Sequence, residues 1–124
     1  MFVLSVLGLF FIPLEHNEIN HDVAILKYER EALNGKKDAL FPIFSYYIYS
    51  QNDYNKGEEF FKKLVTKGYE DDAINAIKDV ANMREFVNNE DKQLLLLQYI
   101  NENNNFAKLV FSLTNKDEKN RGDE

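Results

Sequence analysis

Apolar residues recur along most of this chain at helical spacing, and one small residue marks each recurrence. Ala39, Ala73 and Ala107 stand 34 residues apart, and each opens an apolar-periodic segment. Ala39, Ile43 and Tyr47 repeat every four residues, as do Ala73, Ile77 and Ala81, which places each set on one buried helical stripe. A period of this length is that of a helical hairpin. Gly35 and Gly68 each follow an amphipathic run and precede one of the alanines, where a residue just past a helix end belongs. Asn103 and Asn104 take the matching place before Ala107, and Asn is the usual second choice there.

The runs that end at these positions also align with one another. Tyr28, Ala32 and Gly35 match Phe61, Val65 and Gly68 at an offset of 33, and Asp91–Asn101 (DKQLLLLQYIN) holds the same place in a third unit. The first helix of each hairpin is then Asp38–Ser50, Asp71–Phe86 and Asn105–Leu113, with the N-terminal apolar segment in that role for the first unit. The pattern predicts an all-α, right-handed α/α solenoid of about three helix-turn-helix repeats plus a C-terminal capping helix. Residues 1–114 form the repeat domain. Residues 115–124 (NKDEKNRGDE) carry no apolar side chain and form a solvated, disordered tail. Asp53 and Asp91 sit where an N-cap is wanted. The run LLLLQYI at Leu94–Ile100 is apolar nearly all round, which predicts burial on several sides, with residual apolar surface giving weak self-association of a monomer.

Composition supports helices and a folded domain. Apolar residues make up 44% of the 124, enough to offset the entropy of ordering the chain, and Pro occurs only at Pro13 and Pro42, which disfavours a turn-rich β fold. The net charge of −6 is spread over interspersed Lys and Glu, so no basic stripe exists to neutralise phosphates, and neither nucleic acid nor an anionic membrane is the expected partner. An acidic surface favours encounter with a basic protein. With no cysteine, thiolate chemistry and Cys-based zinc sites are excluded.

The segment Met1–Leu14 (MFVLSVLGLFFIPL) has two readings. It is apolar like the core of a secretory signal, but it lacks a preceding Lys or Arg and a small-residue cleavage site, and it is too short to span a bilayer. As a repeat helix it gives a cytoplasmic protein; as a signal, a periplasmic or secreted one.

The residues Leu7–Phe11 (LGLFF), Asn20, Ala24, Ile25, Tyr28, Ala32 and Gly35 resemble the Sel-one-like repeat, a relative of the tetratricopeptide repeat, with Val3, Leu7, Gly8 and Phe11 filling its first helix. The stretch Tyr46–Gly68 (YYIYSQNDYNKGEEFFKKLVTKG) is similar to the tetratricopeptide form. It departs at Phe44, which replaces a packing glycine, and at Gly57, which replaces an alanine, and the two changes predict a distorted interface. The third unit keeps only Ala73, Ala81, Tyr99 and the periodicity. The resemblance implies a scaffold or adaptor whose stacked first helices line a concave protein-binding face.

Few residues suggest chemistry. Glu15, His16, Glu18, His21 and Asp22 are of metal-ligand type, but the two His are five apart and fall in the expected loop between the first two helices, so a polar loop is the reading preferred. No nucleophile elbow, phosphate loop or zinc-protease motif occurs, and acid pairs such as Glu58–Glu59 and Asp71–Asp72 sit at helix starts where they complement the dipole. We therefore expect no catalytic residue, metal or cofactor. The expected function is protein binding, through Phe41, Ser45 and Tyr49 of the second repeat and Asn75, Asp79 and Asn82 of the third. The sharper form is a small acidic bacterial immunity or inhibitor protein that masks a basic toxin or effector. The alternatives are a structural fragment of a longer repeat scaffold and, last, a metal-dependent enzyme.

Overall fold

A computed structural model describes the backbone of residues 13–114 and the side chains from Val23 onward. The N-terminal apolar segment, the side chains of the His and acid cluster at Glu15–Asp22, and the polar tail lie outside the described residues. Within them the protein is all-α, with no strand. The elements are α1 (Pro13–Leu33), α2 (Leu40–Phe44), α3 (Tyr54–Thr66), α4 (Glu70–Ala81), α5 (Arg84–Val87), α6 (Glu90–Asn101) and α7 (Asn105–Ser112). A 3₁₀ turn, Lys37–Ala39, leads into α2, and a π-helical segment, Ser45–Ser50, follows it.

Helix ends follow the expected signals. Gly35 and Gly68 adopt φ of +101° and +87°, and Asn103 does so at +66°. Each closes a helix with the same pair of hydrogen bonds: Gly35 N–H to Ala32 O and Lys36 N–H to Glu31 O, Gly68 to Val65 and Tyr69 to Leu64, Asn103 to Ile100 and Asn104 to Tyr99. This is the Schellman closure, which satisfies carbonyls that the helix leaves free. Behind each closure the chain turns, and Ala39, Ala73 and Ala107 all become buried, at 2%, 0% and 0% exposure. Asp53 caps α3 as expected, accepting from Lys56 N at 3.0 Å.

Four expectations are corrected. α1 runs through Pro13–Leu33 across the expected loop, and no glycine or proline interrupts 14–33. The helix expected over Asp71–Phe86 breaks after Ala81, because the Asn82 Nδ2 donates to Lys78 O at 2.8 Å and to Leu113 O at 2.9 Å, and Met83 turns extended. The cap of α6 is Asn89, which accepts from Lys92 N at 3.1 Å, so Asp91 stands inside the first turn instead. The run Leu94–Ile100 buries only Leu96 completely, leaving Leu94 and Leu97 56% and 46% exposed.

That last result follows from how the C-terminal helices pack. α2 lies against α1 and α4, and α3 against α4, but it is α7 that contacts both α3 and α4, while α6 lies mainly on α7 and α5. The reason sits on α3. Gly57 leaves a notch whose missing Cβ is replaced by the ring of Phe106 from α7. Phe106 stacks on Phe44 at 5.9 Å and meets Phe61 at 6.0 Å and Tyr54 at 6.3 Å; Phe44 in turn meets Phe60 at 5.9 Å. A large residue at 44 and a small one at 57 are thus complementary around one ring, and the interface between them is filled. Asn104, the N-cap of α7, holds the same end of the helix, accepting from Ala107 N at 2.7 Å and donating to Asn55 Oδ1 at 2.9 Å.

Candidate functional site

Two grooves flank α4. On one side an open groove of about 430 Å³ lies between α2 with its leading 3₁₀ turn and α4, with the buried Ala76 in its lining. Phe41, 40% exposed, forms its apolar wall, with Asn75 and Asp79 opposite and Asp38 and Asp72 along it. Lys37 is the basic group in the lining and stands 3.9 Å from Asp72. With that pair discounted, Asp38 and Asp79 remain as negative charge beside an exposed ring, and the Asn75 amide offers both a donor and an acceptor. Such a surface suits an extended or helical protein segment that brings basic and apolar side chains together.

Three of the six expected binding residues, Phe41, Asn75 and Asp79, therefore share this groove. The other three go elsewhere. Ser45 lines a separate groove with Tyr28 and Pro42, between α1 and α2. Tyr49 turns to α6: its carbonyl accepts from Lys92 Nζ at 2.6 Å, and the same ammonium lies 4.6 Å from its ring centroid. Asn82 is taken up in tying α4 to the end of α7. The stripe Phe41–Ser45–Tyr49 assumes an α pitch, and the π segment from Ser45 changes the angle per residue and separates the three. Asp38 and Asp72 had not been singled out as binding residues, although each lies three positions before a residue that was, Phe41 and Asn75, on the same flank of its helix.

On the far side of α4 lies a second groove, about 330 Å³, between α3, α4 and α7. Phe61, Ile74, Phe106 and Leu109 give it an apolar floor.

Tyr47 donates from its hydroxyl to Glu29 Oε2, joining the π segment to α1, and burial with this bond raises its pKa. Tyr54 is wholly buried against Tyr99, with ring centroids 4.8 Å apart; burial raises its pKa, and its hydroxyl has no partner. Among the described residues no group of three His, Cys, Asp or Glu is placed to hold a metal ion, and no helix is long and apolar enough to cross a membrane. The sequence matches no protein-family model and no curated protein, and no solved structure matches the chain.

Proposed function

We propose that this chain is a protein-binding module of helical-hairpin repeats, of Sel-one-like or tetratricopeptide-like type, that holds a basic segment of a partner protein in the groove between α2 and α4. The observation that carries the reading is the joint lining of that groove by an exposed Phe41 and the carboxylates of Asp38 and Asp79. An aromatic anchor supplies affinity, and the acids supply orientation and association rate. The three matching helix closures, the three buried alanines and the contact of α2 with α4 support the repeat reading. On this reading the chain works without catalysis, cofactor or metal. The acidic charge of the chain favours the form in which it is a small bacterial immunity or inhibitor protein and the partner a basic toxin or effector.

A photo-crosslinking residue placed at Phe41 or Asn75 tests the reading in the native host. The same partner band is expected from both sites and not from exposed Glu59 or Lys63 on α3. Equal crosslinking from all four positions, or only from α3, would reject the groove.

A further inference from the structure

We infer that the second groove, between α3, α4 and α7, receives a single bulky apolar side chain flanked by basic residues, supplied by the same protein partner. This inference rests on the proposed binding function but concerns a different surface. The lining of Phe61, Ile74, Phe106 and Leu109 is apolar, and at about 330 Å³ the groove is at the small end of ligand sites, fit for one large side chain and not for a whole cofactor. Its rim has a sign. Glu58 is paired with Lys62 at 3.8 Å, and the exposed Glu70 at the rim has no basic partner among the described residues.

α4 continues the same charge outward. Glu70 and Ile74 lie on the flank toward this groove, Asp72, Asn75 and Asp79 on the flank toward α2, and exposed Asp71 and Lys78 on the crest between them. Four carboxylates against one lysine on this helix make α4 an acidic ridge with an apolar recess beside it. A partner straddling the ridge finds carboxylates on both flanks and an anchor site on the side away from Phe41. Charge complementarity thus selects a cationic segment over an anionic one carrying the same anchor.

The test uses two capped tripeptides, Lys-Trp-Lys and Glu-Trp-Glu, titrated into the full chain with methyl resonances followed by NMR. The basic peptide is expected to shift the methyls of Ile74 and Leu109, binding about threefold or more tightly than the acidic one at low salt, with the difference closing by about 0.5 M salt. Glu70→Lys, an exposed change, should narrow or reverse the preference, and Leu109→Gln should abolish the shifts while circular dichroism stays helical. Phe41→Ala should leave the shifts unchanged, so failure of the α2–α4 groove and failure of this one are read separately. Equal binding of the two peptides, or shifts centred on Val23 and Leu26 in place of Ile74 and Leu109, would overturn the inference.

Discussion

Replacing Gly57 by alanine would set a Cβ 2.6 Å from Cε2 of Phe106 and 3.1 Å from its Cδ2 and Cζ. Real Cβ atoms do not approach carbon so closely, so the ring or the helix must move. The ring has little freedom, because Phe44 stacks on it and Phe61 and Tyr54 bound it. Overpacking of this kind costs up to about 3 kcal/mol. Against it stands the helix propensity of alanine, better than glycine by about 1 kcal/mol inside a helix such as α3. The net expectation is a loss of about 1 to 2 kcal/mol, or roughly 4–8 °C in Tm for a domain of this size. Urea and thermal melts of four proteins decide it: the parent, Gly57→Ala, Phe106→Leu and the double variant. Phe106→Leu alone leaves space and destabilises, but in its presence the alanine should be neutral or favourable, a coupling of about 1 kcal/mol or more. Gly68→Ala is the control. Its Cβ meets nothing within 4 Å, so its cost comes from φ of +87° alone and should not couple to Phe106. A Gly57→Ala protein about 1 kcal/mol more stable than the parent, as at an exposed helical glycine, would refute the notch and with it the placement of α7.

Three further predictions concern stability. Ala73→Leu, at a fully buried contact, should cost about 1–3 kcal/mol in a urea melt, and a neutral result would place Ala73 at the surface. Tyr54→Phe and Tyr47→Phe should act in opposite directions in thermal melts. The first removes a buried hydroxyl with no partner and should be neutral or stabilising by about 1 kcal/mol, while the second loses the bond to Glu29 and should cost about 1.5 kcal/mol. Both phenols have pKa values raised above the ordinary 10.0, so the fold holds their protons more tightly than the unfolded chain does. The contribution of these two groups to stability should therefore be flat below pH 10 and fall above it as the unfolded chain ionises, with a shallower fall in Tyr54→Phe; an unchanged slope there would contradict the burial of that hydroxyl.

The parts of this fold written in local signals are legible from the sequence. Gly35, Gly68 and Asn103 mark helix ends through the left-handed conformation each adopts, and Asp53 marks a helix start through one side-chain bond. The three alanines are legible because period and residue size agree. What the sequence does not reveal depends on partners far along the chain. The notch at Gly57 has meaning only once Phe106 is known to fill it, and without that contact the apolar run of α6 reads as buried on several sides. The lining of the α2–α4 groove is half legible for a related reason. Asn75 and Asp79 lie on a regular helix, where spacing gives direction, whereas Ser45 and Tyr49 lie on a segment whose pitch changes. Asn82 reads as a surface amide until its bond to Leu113 O is seen.

The most direct test of the proposed binding function is the affinity of the crosslinked partner, once purified, for the parent, Phe41→Ala and Asp79→Asn at low and high salt. Loss of the Phe41 ring should weaken binding by about 1–3 kcal/mol at both salt concentrations, as expected for an apolar anchor. Asp79→Asn should slow association at low salt and have little effect at high salt, where screening already removes its field. Unchanged affinity in both variants, with the helical spectrum and melting of the parent retained, would contradict the assignment of the α2–α4 groove as the binding face.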